Sequence, residues 1–292
     1  MDPISKALER ARRDGQSVRQ WVQPGPVAQA SAVAEIERSD RDTMQLDPSV
    51  LHKNNLLSGS ENEDPIVTDR YRLLRTRVLQ IMRANGWRSL GVTSPGPKAG
   101  KTVTSVNLAL SIAREGNYRV TLVDADIRKP SAAEYMGVEH PVGLPDFLDR
   151  RANLEDILIE ISEPARLSFI SGESGSPERP APDILKRDRM SELLETSAAS
   201  GIPQLVVVDL PPVLIGDDVI AVAASLDALL LVVDENSTSI DDLEQSVELL
   251  SEFSLVGTVL NKSTEKPNKD SGYYHYHHQP QAEKSPSAAT QE

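Results

Sequence analysis

Short apolar runs alternate along the chain with segments whose apolar residues recur every three or four positions. Runs of about four to eight apolar residues between turn residues are typical of buried strands, and longer periodic segments are typical of helices packed on a sheet. The runs predict strands at Ser89–Thr93, Arg119–Asp124, Leu167–Ile170, Gln204–Asp209, Ala228–Val233 and Leu255–Asn261. The periodic segments predict helices at Asp69–Asn85, Lys101–Glu115, Leu154–Ile161, Asp188–Thr196, Asp217–Ala224 and Ile240–Phe253.

This order of strands and helices predicts an α/β fold, a doubly wound and mostly parallel sheet with helices on both faces. Consecutive parallel strands need a crossover, and a helix that returns over the sheet in the right-handed sense is the usual one. Hydrophobic residues make up 39% of the chain, whereas aromatic residues make up only 4%. A core with so few aromatic side chains is built from Val, Leu, Ile and Ala, as is usual for parallel sheets.

Composition divides the 292 residues into three regions. Residues 1–64 open with a short amphipathic helix that has Ile4 and Leu8 on its apolar face, and they continue as a polar linker. That helix either frays or packs on its own domain, or it docks on a partner or an anionic membrane surface. Residues 65–266 carry every predicted strand and form the core domain. Residues 267–292 have almost no aliphatic side chains, so we expect a flexible tail.

Charge and hydropathy narrow the class of protein. The formal net charge of −13 argues against nucleic acid as the main partner, since phosphate backbones are bound by basic surfaces. The absence of Cys excludes a disulfide framework and a thiolate metal site, and it fits a reducing compartment. The longest apolar runs, Leu205–Val208 and Ala228–Val233, are far shorter than the roughly 20 residues that span a bilayer. We therefore expect a soluble, cytoplasmic protein that reaches a membrane only through a partner or a surface helix.

A phosphate-binding loop is predicted between the first core strand and the helix that follows it. The N-terminus of that helix offers unpaired N–H groups and a positive dipole end, and a glycine-containing loop lets the backbone wrap an anion. Lys101 would reach the β- and γ-phosphates, and the Thr102 hydroxyl would bind Mg²⁺. Pro95 stands where the strict motif has glycine. The residues expected around the nucleotide are Gly96, Pro97, Lys98, Ala99, Gly100, Lys101, Thr102 and Val103.

Carboxylates end two of the predicted strands. Asp124 and Asp126 follow the run that begins at Val120, and Asp209 follows the run that begins at Leu205. Ligands bind beyond the carboxyl ends of parallel strands, so the three aspartates are expected to converge with the loop lysine. Carboxylates suit a magnesium ion and a group that orients or deprotonates a nucleophile. The alternative is that each Asp only favours a turn or caps a helix.

Four ordered motifs resemble those of bacterial tyrosine kinases, over about Pro65 to Tyr276. Asp124–Pro130 is similar to the Walker A′ motif of that family, and Asp209–Leu214 is similar to its Walker B motif, with Leu210 where Ser or Thr is usual. Asp69–Thr76 resembles the Glu-x-x-Arg-x-x-Arg oligomerisation helix, with Asp in place of Glu. A cluster of tyrosines resembles the family's tyrosine-rich tail, namely Tyr273, Tyr274 and Tyr276. Among these kinases, the pattern is most like the stand-alone autokinases of capsule and exopolysaccharide synthesis.

The resemblance implies a P-loop NTPase fold and an ATP- and Mg²⁺-dependent autokinase. In such an enzyme Lys101 and Thr102 hold the phosphates and the metal ion. Asp126 and Asp209 support the metal ion. Asp124 is the expected base for the tyrosine hydroxyl, and Asn261 occupies the place where related ATPases contact adenine.

The resemblance also implies partners. Such kinases form homo-oligomeric rings in which the tail of one subunit enters the active site of the next, so the phosphoacceptors would be the three tail tyrosines. The inter-subunit contact would come from the helix that carries Asp69, Arg72 and Arg75. The cytoplasmic segment of a membrane polysaccharide co-polymerase activates them, and a cognate phosphatase completes a cycle that tunes polymer length and export.

Two other functions remain open from the residues alone. A partition-type ATPase switch dimerises with ATP, but that class has a signature lysine at the position of Gly96, and Lys98 would need an altered loop to replace it. A non-catalytic, nucleotide-binding regulatory subunit is compatible with Lys98, Leu210 and the short tyrosine cluster. The nearby run of His275, His277 and His278 either binds a metal ion or is polar filler.

Overall fold

The computed structural model describes residues 43–60, 63–139, 142–174, 187–196, 203–216 and 218–263. The predicted helix near Ile4, most of the predicted linker and the whole predicted tail lie outside these residues. So do the expected phosphoacceptors Tyr273, Tyr274 and Tyr276, and the histidine run beside them. Within the described residues, no helix is both long enough and apolar enough to cross a bilayer.

A single eight-stranded sheet organises the described residues, in the order β1-β4-β5-β3-β6-β2-β7-β8. The strands are β1 Thr43–Met44, β2 Ser89–Thr93, β3 Arg119–Asp124, β4 Ile159–Ile161, β5 Leu167–Ile170, β6 Gln204–Asp209, β7 Ala228–Asp234 and β8 Leu255–Asn261. Neighbouring strands are parallel except β4 and β5, which are antiparallel. The mostly parallel sheet is therefore confirmed.

Helices cover the sheet on both faces. They are α1 Pro48–Lys53, α2 Pro65–Asn85, α3 Lys101–Glu115, α4 Ala132–Met136, α5 Leu144–Leu148, α6 Leu154–Ile157, α7 Arg187–Thr196, α8 Asp218–Ala223 and α9 Ile240–Leu249. Successive strand residues alternate between two separate apolar clusters, with Val207 in one and Val208 in the other. The first cluster includes Met82 of α2 and Leu108 of α3, and the second includes Leu243 of α9. A core on each face makes the sheet doubly wound, as the sequence predicts.

The strands that end in carboxylates lie next to the strand that leads into the phosphate-binding loop. β6 lies between β2 and β3, and Asp209 is in register with both Val92 and Asp124. Parallel strands bring their carboxyl ends to the same edge, and side chains at that edge can share one ligand. The strand order thus gathers the predicted site at the centre of the sheet.

The predicted helix Leu154–Ile161 is wrong in its second half. α6 ends at Ile157, and the next residues form β4, antiparallel to β5. Ile159 and Ile161 are buried and Glu160 between them is less so, which is the alternation of a strand. The two β-branched residues therefore pair with β5 rather than extend the helix. Smaller differences are found at helix ends: α2 begins at Pro65, before the predicted start at Asp69, and α9 ends at Leu249, before the predicted end at Phe253.

Part of the predicted linker belongs to the folded domain. β1 pairs with β4, and Asp47 caps α1 by accepting a hydrogen bond from the backbone N–H of Ser49. Asn107 of α3 accepts from the N–H of Leu57 at 2.7 Å and holds this segment on the core. The packed side chains, all 5% exposed or less, are Leu46, Leu51, Leu56 and Leu57. The folded unit therefore starts before residue 65, because four leucines in a polar stretch find a shared apolar surface.

Candidate active site

The loop between β2 and α3 has the backbone that a phosphate cradle needs. Gly100 has φ 91, a conformation that favours glycine, and a Cβ there would lie 2.1 Å from Nδ2 of Asn261 and would displace that side chain. Lys98 also adopts a left-handed conformation, with φ 63. Gly100 is the N-cap of α3 and provides no side-chain cap. The first N–H groups of the helix are thus directed to the loop side, where an anion is favoured.

Lys101, the first residue of α3, lies between two carboxylates. Its Nζ is 2.9 Å from Oδ2 of Asp126 and 3.5 Å from Oδ2 of Asp209, and its side chain is only 10% exposed. Burial lowers the pKa of Lys101, but the charges of Asp209 and Asp126 outweigh burial and raise it. Lys101 is therefore a fixed positive charge at the mouth of the loop.

Asp209 is tied to α3 by two hydroxyl groups. The Thr102 hydroxyl donates to its Oδ2 at 2.7 Å, and the Ser105 hydroxyl donates to its Oδ1 at 3.0 Å. The carboxylate has no exposed surface, and burial raises the pKa of Asp209. The Thr102 hydroxyl also lies 3.3 Å from that of Ser131. Several hard oxygen atoms thus meet beside the lysine.

Asp124 is fully buried and organises the turn after β3. Its Oδ2 accepts from the backbone N–H groups of Ser131 and Ala132, both at 2.9 Å, and its Oδ1 accepts from the N–H of Asp126 at 3.1 Å. Burial, with repulsion from Asp209, raises the pKa of Asp124 to about 7. The side chain therefore positions Asp126 and Ser131 in addition to any proton transfer.

The donors present fit a nucleotide with its magnesium ion. Mg²⁺ takes oxygen ligands in an octahedral arrangement and usually keeps several waters and phosphate oxygens. Asp126, Asp209 and the Thr102 hydroxyl supply carboxylate and hydroxyl oxygens, and Lys101 supplies a cation for phosphate oxygens. Gly100, the N-cap of α3, leaves the first N–H groups of that helix without a side-chain cap, and such groups favour an anion.

The end of β8 contacts the loop from the opposite side. Nδ2 of Asn261 donates to the carbonyl oxygen of Ala99 at 2.9 Å, so this side chain bonds to the loop backbone. The next residue, Lys262, donates from Nζ to the carbonyl oxygen of Lys98 at 2.6 Å. Adenine contact by Asn261 stays a prediction, and the contact with the loop was not expected.

The remaining predicted loop residues differ in how tightly they are held. Gly96 accepts a hydrogen bond at its carbonyl oxygen from the Ser94 hydroxyl at 2.7 Å, and a Cβ added to Gly96 meets nothing within 4 Å. Pro97 is exposed, and Val103 is partly buried in the first turn of α3. The backbone conformation that favours glycine is therefore at Gly100 and not at Gly96.

Asp69, Arg72 and Arg75 lie together on α2, away from the lysine and the aspartates. Arg72 pairs with Asp69 at 3.2 Å, and both side chains are exposed. Arg75 instead packs on α3, where Nη1 donates to the carbonyl oxygen of Ser111 at 3.0 Å and Nε lies 3.0 Å from Glu115. Arg75 thus stabilises the packing of α2 on α3 within one chain, while Asp69 and Arg72 remain at the surface.

Sequence reasoning missed Ser105, Ser131, Asp234 and Lys262 as site residues. Ser105 carried a usable signal, because it lies three residues after Thr102 and so on the same face of a predicted helix. Asp234 carried the same signal as Asp124 and Asp209, since it directly follows the predicted strand Ala228–Val233. Ser131 and Lys262 carried none, since they lie in loops that only the folded sheet brings to the site.

Comparison with known proteins agrees with this geometry. Residues 88–290 match the family model described as ParA: NUBPL iron-transfer P-loop NTPase. A putative tyrosine-protein kinase, EpsB of Ralstonia nicotianae, is 33% identical over 196 residues, which are 67% of this chain and 25% of EpsB. The tyrosine-protein kinase YwqD of Bacillus subtilis is 29% identical over 210 residues, which are 71% of this chain and 86% of YwqD. The chain thus matches a quarter of the first relative and most of the second.

A solved structure supports the same grouping. The kinase domain of the Escherichia coli tyrosine kinase ETK superposes with a TM-score of 0.62 at 27% identity, covering 71% of this chain and 81% of that domain. The match to the family model spans both acidic strand ends and the phosphate-binding loop. The chain therefore belongs to the ParA family of P-loop NTPases, and the three proteins compared above, to which it is similar, are named as bacterial tyrosine kinases.

Proposed function

We propose that this chain is an ATP-dependent protein-tyrosine autokinase that regulates the polymerisation and export of a capsular or extracellular polysaccharide. The observation that carries the proposal is the arrangement of Lys101 between Asp126 and Asp209, with the Thr102 hydroxyl on Asp209. Phosphoryl transfer needs positioned cations and oxygen ligands more than covalent chemistry from the protein. The names of the relatives, several of which are tyrosine-protein kinases, support the reaction class.

Each site residue has a defined task in this proposal. The loop N–H groups and Lys101 bind and orient the β- and γ-phosphates of ATP. Thr102, Asp126 and Asp209 hold Mg²⁺, which when bound neutralises charge on those phosphates. Asp124 accepts the proton of the attacking tyrosine hydroxyl, and its bonds to the N–H groups of Ser131 and Ala132 keep the carboxylate in place.

The tail tyrosines are the proposed acceptors, and a ring of identical chains is the proposed assembly. Tyr273, Tyr274 and Tyr276 follow the last strand and would be presented to the site of a neighbouring chain. Asp69 and Arg72 are exposed on α2 and available for that contact. The proposed activator is the cytoplasmic segment of a membrane co-polymerase, which would hold the protein at the cytoplasmic face of the inner membrane, and a cognate phosphatase would reset it.

Phosphate mapping tests the proposal directly. Purified protein is incubated with ATP, Mg²⁺ and the co-polymerase segment, and phosphorylated residues are located by mass spectrometry. We expect phosphate on Tyr273, Tyr274 or Tyr276, and none in a Lys101→Met variant or in a variant with all three tyrosines changed to Phe. Wild-type protein that binds ATP but never gains phosphotyrosine contradicts the proposal.

A second function has one observation in its favour, the match to a ParA-type family model. An ATPase switch of that kind would use the same loop and aspartates to hydrolyse ATP while two chains associate. Gly96 stands at the position of the signature lysine, and Lys98 has its backbone carbonyl bonded to Lys262. ATP-dependent dimerisation and hydrolysis without phosphotyrosine would select this switch, and tight ATP binding without turnover would select a regulatory subunit.

A further inference from the structure

A lysine on the far side of the phosphate-binding loop joins that loop to the neighbouring strand. Lys262 follows β8, and its Nζ lies 2.6 Å from the carbonyl oxygen of Lys98 and 2.8 Å from Oδ2 of Asp234. Asp234 is the last residue of β7, which pairs with β2, the strand that enters the loop. One ammonium group therefore bridges the loop backbone and the strand beside it.

Both ends of this bridge are held in place. Oδ1 of Asp234 accepts from the N–H of Asn236 at 2.9 Å, and the Asp234 side chain is only 4% exposed. The side chain of Asn236 in turn donates to the carbonyl oxygen of Lys262 at 3.0 Å. The Lys262 side chain is 46% exposed, and a salt bridge between two mobile surface groups contributes little, but here the carboxylate is buried and the lysine backbone is anchored.

The point of attachment on the loop is the residue whose backbone conformation is least favourable. Lys98 has φ 63 and Lys262 has φ 56, and for residues other than glycine the left-handed region is uncommon. The carbonyl of Lys98 meets the lysine, and that of the next residue, Ala99, meets Asn261. Two successive carbonyls of the loop are thus held by the residues at the end of β8, which restrains the loop backbone.

We infer that Lys262, held by Asp234, is a positioning residue that fixes the phosphate-binding loop and so sets its affinity for nucleoside di- and triphosphates. The inference rests on the nucleotide binding that the proposed function requires. Lys262 bonds to the outer side of the loop and not to the reacting groups. Its loss therefore weakens nucleotide binding and leaves the chemical step nearly unchanged.

Isothermal titration with Mg-ADP and Mg-ATP tests this role in the full-length chain. Lys262→Met keeps the length of the side chain and removes its charge, and Asp234→Asn removes the charge that holds it. Lys262→Met loses the charge-assisted hydrogen bond to the loop, so we expect its dissociation constant to rise about tenfold. Asp234→Asn keeps an acceptor but weakens the hold on Lys262, so we expect a smaller rise. The double variant should be no weaker than the weaker single variant, because both changes break one unit. Lys262→Arg, which keeps the charge, should recover most of the affinity.

Lys53 provides the matched control. It is exposed at the end of α1, and Lys53→Met should bind nucleotide as the wild type does. Circular dichroism and the thermal midpoint establish that each variant is folded. Wild-type affinity in Lys262→Met overturns the inference, and so do additive losses in the double variant or a failure of Lys262→Arg to recover affinity.

The test separates this inference from the proposed function, because binding is measured without phosphotyrosine. If the chain transfers no phosphate and its affinity still depends on Lys262, the kinase proposal fails and the positioning role stands. If the chain is a kinase, Lys262→Met should raise the KM for ATP about tenfold with little change in kcat. A fall in kcat at unchanged KM contradicts the positioning role.

Discussion

The hydroxyl of Thr102 donates a 2.7 Å hydrogen bond to Oδ2 of Asp209. Thr102 is the second residue of α3, and Asp209 ends β6, so the bond joins the helix that begins at the phosphate-binding loop to the adjacent strand of the sheet. Asp209 is fully buried and carries a second hydroxyl donor, Ser105. One carboxylate therefore contributes both to the stability of the domain and to its proposed metal site.

Replacing Thr102 by Val should affect stability and activity together. The change keeps the shape of the side chain but leaves Asp209 with one hydroxyl donor fewer, which should lower the free energy of unfolding by about 1–3 kcal/mol. Phosphotyrosine formation should fall as well, since a metal ligand is lost. Thr76→Val is the control, because the exposed Thr76 hydroxyl donates to the carbonyl oxygen of Arg72 in its own helix. Urea titration checks the stability, and equal stability of the two variants contradicts the prediction.

Two loop glycines should respond differently to alanine. Gly100→Ala forces a residue with Cβ to φ 91, which costs about 1–2 kcal/mol, and places that Cβ against Nδ2 of Asn261. We expect nucleotide affinity to fall at least about tenfold, because Asn261 must move off the loop. Gly96→Ala meets no atom within 4 Å and should bind nearly as the wild type does. Titration with Mg-ADP measures the affinity of both variants. Equal losses of affinity would show that the two glycines do not differ in conformation and surroundings as they do in this structure.

The segment before residue 65 should prove essential for stability. Leu51 is 2% exposed and lies in the main apolar cluster, so Leu51→Ala should lower the free energy of unfolding by about 2–5 kcal/mol. Leu73 of α2 is 58% exposed, and Leu73→Ala should change the free energy of unfolding by no more than about 0.5 kcal/mol. Chemical denaturation of both variants checks the pair. An unchanged free energy of unfolding in Leu51→Ala would show that this segment does not belong to the folded domain.

The two arginines of α2 should separate stability from assembly. Arg75→Ala removes contacts with Ser111 and Glu115 of the same chain and should lower the free energy of unfolding by about 1–2 kcal/mol. Arg72→Ala should change the free energy of unfolding by less than about 0.5 kcal/mol, because Arg72 is an exposed partner of Asp69. If α2 forms the ring contact, Arg72→Ala should dissociate the ring in analytical ultracentrifugation. A stable ring in that variant argues for another interface.

The free energy of unfolding should depend on pH through Asp234, the buried partner of Lys262. The hydrogen bond from Lys262 holds the pKa of Asp234 below its ordinary value of 3.8. A carboxylate with a lowered folded pKa stabilises the fold above its unfolded pKa and loses that contribution as the pH falls through the folded value. The difference in free energy of unfolding between wild type and Asp234→Asn should therefore be constant near neutral pH and shrink below about pH 4. Urea titrations of both proteins across that pH range check this prediction. A difference in free energy of unfolding that does not change with pH contradicts it.

Local pattern was enough for the central strands and for the residues that end them. Each run predicted as a strand between Ser89 and Asn261 folds as one close to its predicted bounds. The central strands are buried on both faces, which requires a continuous apolar run. The local pattern is not enough at β4, whose three residues it predicts as the end of a helix. A strand that short carries too little alternation to outweigh a helical neighbour, and its pairing with β5 decided its state.

The sequence by itself determined the doubly wound sheet, the loop before Lys101, and the position of Asp124, Asp126 and Asp209 at the same edge of the sheet as that loop. These follow from the chain because the carboxyl ends of parallel strands lie at one edge of a sheet. The tertiary structure decided that β6 lies between β2 and β3, which brings the three aspartates next to Lys101. Only the tertiary structure decided that β8 lies beside β7, which brings Asn261 and Lys262 against the loop. Strand order depends on contacts between residues far apart in the chain, and no local pattern of apolar and polar residues encodes it.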